Sequence, residues 1–175
     1  MPKDIEAILK QAKPRETTVP VYMAGDLVAE IERLERQLAE AGAGAWKADS
    51  LADTNPTRAI AEKIEAVREK LKKSEVEFRF RALPDDQWSD LLAAHPPKDS
   101  EQHLFNPDTF PRALIAACAV DPIMEVEQVD RLFGVLNQAQ RNALFDGAYG
   151  VNTEGTSVPF SVSASAILGA LGDGK

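Results

Sequence analysis

The same spacing of large apolar residues, four then three then four, occurs twice in this chain: at Leu27, Ile31, Leu34 and Leu38, and again at Ile60, Ile64, Val67 and Leu71. That spacing lines one face of an α-helix. Glu, Arg, Lys and Gln fill much of the other faces, so each segment is amphipathic and its seam needs a partner. Each seam is the other's nearest candidate. In the connection AGAGAWKADSLADTN, Gly42 and Gly44 are expected to stop the first helix, and Asn55 followed by Pro56 to cap and begin the second. At ~1.5 Å rise per residue the helices are nearly equal in length, so an antiparallel hairpin returns the chain close to where it left.

The segments entering and leaving the hairpin should therefore lie side by side. TTVPVYM, residues 17–23, is β-branched and aromatic, and Pro20 confines it to an edge strand because proline cannot donate to a ladder. Beyond the hairpin, Val76, Phe78, Phe80 and Ala82 alternate with Glu75, Glu77, Arg79 and Arg81, which puts an apolar ridge on one face of a second strand. A two-stranded ribbon is marginal in water, and an open edge invites a further strand. The Val76, Phe78, Phe80 face thus needs cover. It can come from an N-terminal helix carrying Ile5, Ile8 and Leu9 and ended by Pro14, from the helices that follow, or from a second copy.

After Pro84 the period becomes helical. Trp88, Leu91 and Leu92 share a face, Pro84 suits the first turn, and Asp85 and Asp86 suit a helix N-terminus. His95, Pro96 and Pro97 end that helix. Asn106 and Pro107 read as a cap and first-turn pair, and residues 112–120 as a nearly all-apolar helix closed by Asp121 and Pro122, the centre of a second core. Val126, Val129, Leu132, Phe133 and Leu136 give an amphipathic helix. Asn137 with Gln140 resembles a capping box opening a last helix, with Leu144, Phe145 and Tyr149, that stops near Gly147 or Gly150. The expected fold class is α+β, mainly α: an antiparallel helical hairpin flanked by a two-stranded antiparallel ribbon, then a small bundle of short helices. The expected organisation is a strand-helix-helix-strand unit over residues 1–83, a helical unit over 84–152 and a flexible tail over 153–175, rich in Ser, Thr, Gly and Ala.

Composition narrows the partners. A net charge of −8, with one basic cluster at Lys70, Lys72 and Lys73 on a helix end, argues against nucleic acid or an anionic membrane. No apolar run approaches the ~20 residues of a membrane span, and no signal-peptide pattern is present. The single cysteine, Cys118, forms no intramolecular disulfide and fits a reducing compartment, so a cytoplasmic protein is expected.

No arrangement reads as catalytic. GALGDGK, at the end of the sequence, matches the phosphate-loop spacing but has neither the following helix nor the Ser or Thr that such a loop needs. His95 and His103 flank two prolines with no cysteine nearby. Asp85, Asp86, Asp108 and Asp121 all stand at helix boundaries, where capping explains them, and Cys118 lies in an apolar run with no activating base. Neither a metal nor a cofactor is expected. The aromatic series Trp88, Phe105, Phe110, Phe133, Phe145 and Tyr149 reads mostly as core.

Four stretches, VPVYMAGDLVAEIERLERQL, FRFRALPDDQWSDLLAAHPP, FNPDTFPRALIAACAVDP and NALFDGAYGVN followed by VPFSVSASA, span about residues 19–166 and resemble the tail assembly chaperones of long-tailed actinobacterial phages and prophages. The resemblance implies a non-enzymatic protein of the host bacterial cytoplasm. Such proteins bind the long, helical, aggregation-prone tape measure protein, keep it soluble, help recruit the tail tube protein, and are absent from the mature virion. A structural tail or head-tail connector subunit is the alternative. The resemblance also implies two lengths made by a programmed frameshift, and the terminal Gly174 and Lys175 are compatible with a slippery run of G then A. It carries over no catalytic residue. The expected partner contacts are Val76, Phe78 and Phe80 on the strand, with Trp88, Leu91 and Leu92 beside them. A homo-oligomer is also compatible with the open sheet.

Overall fold

The computed structural model describes residues 4–43, 55–98 and 103–156. The chain is α+β and mainly α. Helix α1 (Ile5–Gln11) precedes strand β1 (Glu16–Tyr22), the hairpin is α2 (Gly25–Ala43) and α3 (Pro56–Lys72), and strand β2 (Glu75–Arg81) follows. The two strands pair antiparallel from Glu16 opposite Arg81 to Tyr22 opposite Glu75, so the hairpin rises from one end of a ladder. Asn55 caps α3 by accepting from the Thr57 N–H at 3.0 Å, and Pro56 occupies the first turn. Gly42 lies inside α2 rather than ending it; Gly44 falls outside the described residues. Leu34, Ile64 and Val67 are buried between the helices, with Leu27, Ile31, Leu38 and Ile60 packed against them.

The ribbon gains a third strand. Helix α4 (Asp85–Ala94) is followed by α5 (Phe110–Cys118), and the helix expected to run to residue 120 stops two residues earlier. Ala119–Asp121 forms β3, antiparallel to the far edge of β2, which makes β2 central and leaves β1, with Pro20, at an edge as expected. Two local forces favour this switch. A residue preceding proline, here Asp121, is biased to extended backbone, and the free edge of β2 offers unpaired amides and carbonyls.

The Phe78 and Phe80 face is covered by the following helices, α5 and α7 (Gln138–Thr153), rather than by α1. Val21, Phe78 and Phe80 share a core with Phe110, Leu114 and Ile115 of α5, with Val129 of α6 (Val126–Phe133), and with Leu144, Ala148 and Val151 of α7. The boundary expected at residue 83 is corrected accordingly. It runs through this shared core, while the part that packs separately is the hairpin. The aromatic residues do lie in or against the core: Phe105 stacks on Phe110 with centroids 4.2 Å apart, and Trp88 meets the edge of Phe110 at 6.0 Å. Arg112 pairs with Asp130 at 2.6 Å and covers the Phe133 ring.

Helix α7 does not stop at Gly147 or Gly150 but continues to Thr153, lying along β1. Gln140 Nε2 donates to the Tyr22 carbonyl at 2.9 Å near one end. At the other, Arg15 donates to the carbonyls of Gly150 (3.0 Å) and Glu154 (3.2 Å) and pairs with the Glu154 carboxylate. Between these ties a Cβ on Gly147 would collide with Val19 Cγ2 and stand 3.5 Å from the Phe80 ring. Glycine there permits close approach of helix to sheet. The capping box that opens α7 is complete, with Asn137 Oδ1 accepting from the Gln140 N–H at 2.9 Å and Gln140 Oε1 accepting from the Asn137 N–H at 3.0 Å. Asn137→Ala is expected to cost about 1 kcal/mol, read as a lower urea midpoint.

Candidate interaction surfaces

Cys118, His95, Asp108, Asp85 and Asp86 each have a structural role. Cys118 is buried, and burial pushes its thiol up to about 11, against a smaller opposing effect from Asn152, whose Nδ2 donates to the sulfur at 3.2 Å. Such a thiol is protonated at neutral pH and a poor nucleophile. Asn152 also accepts from the Leu83 N–H at 2.8 Å, so it ties α7 to both α5 and the end of β2. His95 bonds Thr109 Oγ1 at 2.9 Å, Asp108 pairs with Lys98, which holds its carboxyl below the usual range, and Asp85 and Asp86 occupy the first turn of α4. Among the described residues no group of three or more His, Cys, Asp or Glu converges as a metal site, and no helix is long and apolar enough to cross a membrane. The GALGDGK segment lies outside the described residues.

The six residues expected to contact a partner separate. Phe78 and Phe80 are buried, at 4% and 0% exposure, which corrects their assignment: they are core, because α5 and α7 close over them. Trp88, Leu91 and Leu92 are partly buried and pack against the same core from α4. Val76 alone is exposed, at 38%, because it lies at the hairpin end of β2.

Among the described residues, that end is one surface capable of docking. Met23 and Val28, where β1 gives way to α2, are exposed close in sequence to the Val21–Val76 pair, and Tyr22 is exposed beside them. From this root the hairpin extends about 28 Å, given the 19 residues of α2. No other described element packs substantially against α2 or α3. Two helices alone cannot enclose both apolar stripes, so Leu27, Ile31, Leu38 and Ile60 remain only partly buried. Charged residues on α3 pair among themselves, Arg58 with Glu62, Arg68 with Glu65 and Lys72 with Glu69. The arrangement suits a third helix laid along the seam, its i, i+3, i+4 side chains entering the gap.

The second surface is a groove of about 610 Å³ between α5, β3 and the segment leading into α6. Its apolar lining includes Leu91, Ala113, Ala116, Val120, Ile123 and Met124; its charged residues are Arg79, Arg81 and Glu125. Ile123 is 76% exposed, an unusual position for an isoleucine. Sequence reasoning reached the first surface through Val76 and missed the groove, since spacing gives the residues that share a face and not the extent to which that face is covered. Comparison with protein-family models, with curated proteins and with solved structures finds no match to this chain.

Proposed function

We propose that this protein is a phage tail assembly chaperone, acting without catalysis in the host bacterial cytoplasm to hold the tape measure protein soluble and to help recruit tail tube subunits. The resemblance of residues 19–166 to that family supports the reading, and one structural observation carries it furthest: a two-helix arm whose apolar seam is incompletely covered, standing apart from the core. A long helical client adds a third helix to that seam and contacts the exposed Val28 and Val76 at its root. The net charge of −8 keeps such a complex soluble.

Co-expression with a phage tape measure protein tests this. The tape measure protein should become soluble and co-purify. Val28→Glu, at a position exposed in the free protein, should reduce its recovery about ten-fold, the effect of ~1.4 kcal/mol from desolvating a carboxylate at the contact. A tape measure protein that stays insoluble with the wild-type chain would count against the reading. Recovery of the chain in stoichiometric amounts from purified virions would favour a structural connector instead.

A further inference from the structure

On the side of the body where the loop into α5 meets the end of α6 and the start of α7, a cavity of about 240 Å³ is lined by Asp108, Arg112, Phe133, Gln138, Arg141 and Asn142, among others. It is smaller than the pockets that take drug-sized molecules, and suits a group of a few atoms. Every charged side chain in its lining has a counter-charge except one. Arg112 Nε pairs with Asp130 at 2.6 Å, and Asp108 with Lys98 at 2.5 Å. No described carboxylate pairs with Arg141. Its Nε is, among the described residues, the one buried side-chain nitrogen or oxygen that meets no hydrogen-bond partner.

The charge count follows. Three cations, Lys98, Arg112 and Arg141, stand against two carboxylates, Asp108 and Asp130, so the charge in excess is that of Arg141. The nearest further charges along α6 and α7, Arg131 and Asp146, are exposed and opposite in sign, and leave the balance unchanged. A guanidinium partly withdrawn from water without a counter-charge is unfavourable, which makes an anion in the cavity stabilising. Other donors stand beside it. Arg112 uses Nη1 on the Asp108 carbonyl and Nε on Asp130, which leaves Nη2, and Asn142 accepts from Gln138 through Oδ1 at 2.7 Å, which leaves its amino group.

We propose that this cavity is a binding site for a single carboxylate, held by the Arg141 guanidinium with Arg112 and Asn142 as supporting donors. Arginine's terminal amines match the two oxygens of a carboxylate in a planar fork. A carboxylate also carries the one charge in excess, whereas a phosphate near pH 8 carries about two. The carboxylate belongs to a small molecule or to an acidic side chain of a protein. The inference goes beyond the chaperone reading and does not depend on it, since the arm takes no part.

Titration of the full chain with acetate at pH 8, followed by ¹⁵N NMR of the arginine Nε–H and backbone amide signals, tests it. The Arg141 Nε–H and the amides of Gln138 to Asn142 should move and saturate, with a dissociation constant on the order of 1 mM. Arg141→Gln should bind at least ten-fold more weakly while keeping the wild-type circular dichroism. Arg141→Lys, which keeps the charge and loses the fork, should bind severalfold more weakly, and Arg58→Gln, on the arm, should bind as the wild type does. The peptide acetyl-Gly-Glu-Gly-amide, with one carboxylate, separates the sources: binding tighter than acetate identifies a protein side chain, weaker binding a free carboxylate, and either supports the site. Shifts that do not saturate with acetate or peptide would overturn the proposal. So would undiminished binding by both Arg141 variants, or inorganic phosphate binding more tightly than either carboxylate.

Discussion

Phe80→Ala is expected to destabilise the protein by about 3–5 kcal/mol, a large share of the 5–15 kcal/mol that holds a typical domain together. Phe80 is fully buried on the central strand, opposite Thr17 on one side and Ala119 on the other. Its neighbours cannot relax into the space, because the ladders fix the backbone on both flanks and α7 is held along β1 by Gln140 and Arg15. The cavity therefore persists, and the cost stands at the upper end for a large-to-small change. Urea denaturation followed by circular dichroism should show a lower midpoint with an unchanged slope. Val76→Ala, four residues earlier on the same strand face but exposed, should change stability by less than about 0.5 kcal/mol. Similar losses for the two would mean that the Phe80 face is not enclosed.

Gly147→Ala is expected to destabilise the protein although helix propensity argues the reverse. Alanine in a helix interior gains about 1 kcal/mol over glycine. Against that, the added methyl would overlap Val19 Cγ2 and press on the Phe80 ring, and overpacking of a formed core costs about 1–3 kcal/mol. The net expectation is a loss of about 1–2 kcal/mol. Gly150→Ala, on the same helix, provides the contrast, because its Cβ would meet only the end of the exposed Glu154 carboxylate, which can swing away at the cost of no more than its solvent-exposed pair with Arg15. That substitution should be neutral or stabilising by up to about 1 kcal/mol. Adding Val19→Ala to Gly147→Ala should recover part of the loss, a coupling measurable by a double-mutant cycle. Equal effects at the two glycines would place α7 farther from the sheet than described.

The hairpin, both its flanking strands and the capping box at Asn137 were legible in the sequence because each depends on a period or a motif a few residues long. Leu27 to Leu38 state a helix face without reference to the rest of the chain, and Pro20 states an edge. β3 was not legible. Three residues carry no period, and Ala119–Asp121 is extended because β2 lies beside it with an edge to pair, a fact of the folded chain. Gly147 and Gly150 misled for a related reason. Read locally they end a helix, yet one is required by a neighbour over a hundred residues away in sequence. The docking surfaces fall between these cases. The alternation of Val76, Phe78 and Phe80 fixed their common face, but only the positions of α5 and α7 decide that two are enclosed and one is not.

The last pair of the β1–β2 ladder is Tyr22 with Glu75, and Met23 still donates to the Ser74 carbonyl at 3.0 Å beyond it. Everything between these residues is thus inserted at a closed junction, much as a cassette is set into a loop of a finished fold. Lengthening or shortening it by whole helical turns leaves the junction and the sheet register unaltered. The reach of the arm can therefore be changed without touching the body beneath it, whereas Gly147 and Phe80 leave no room for added volume at the helix-sheet contact.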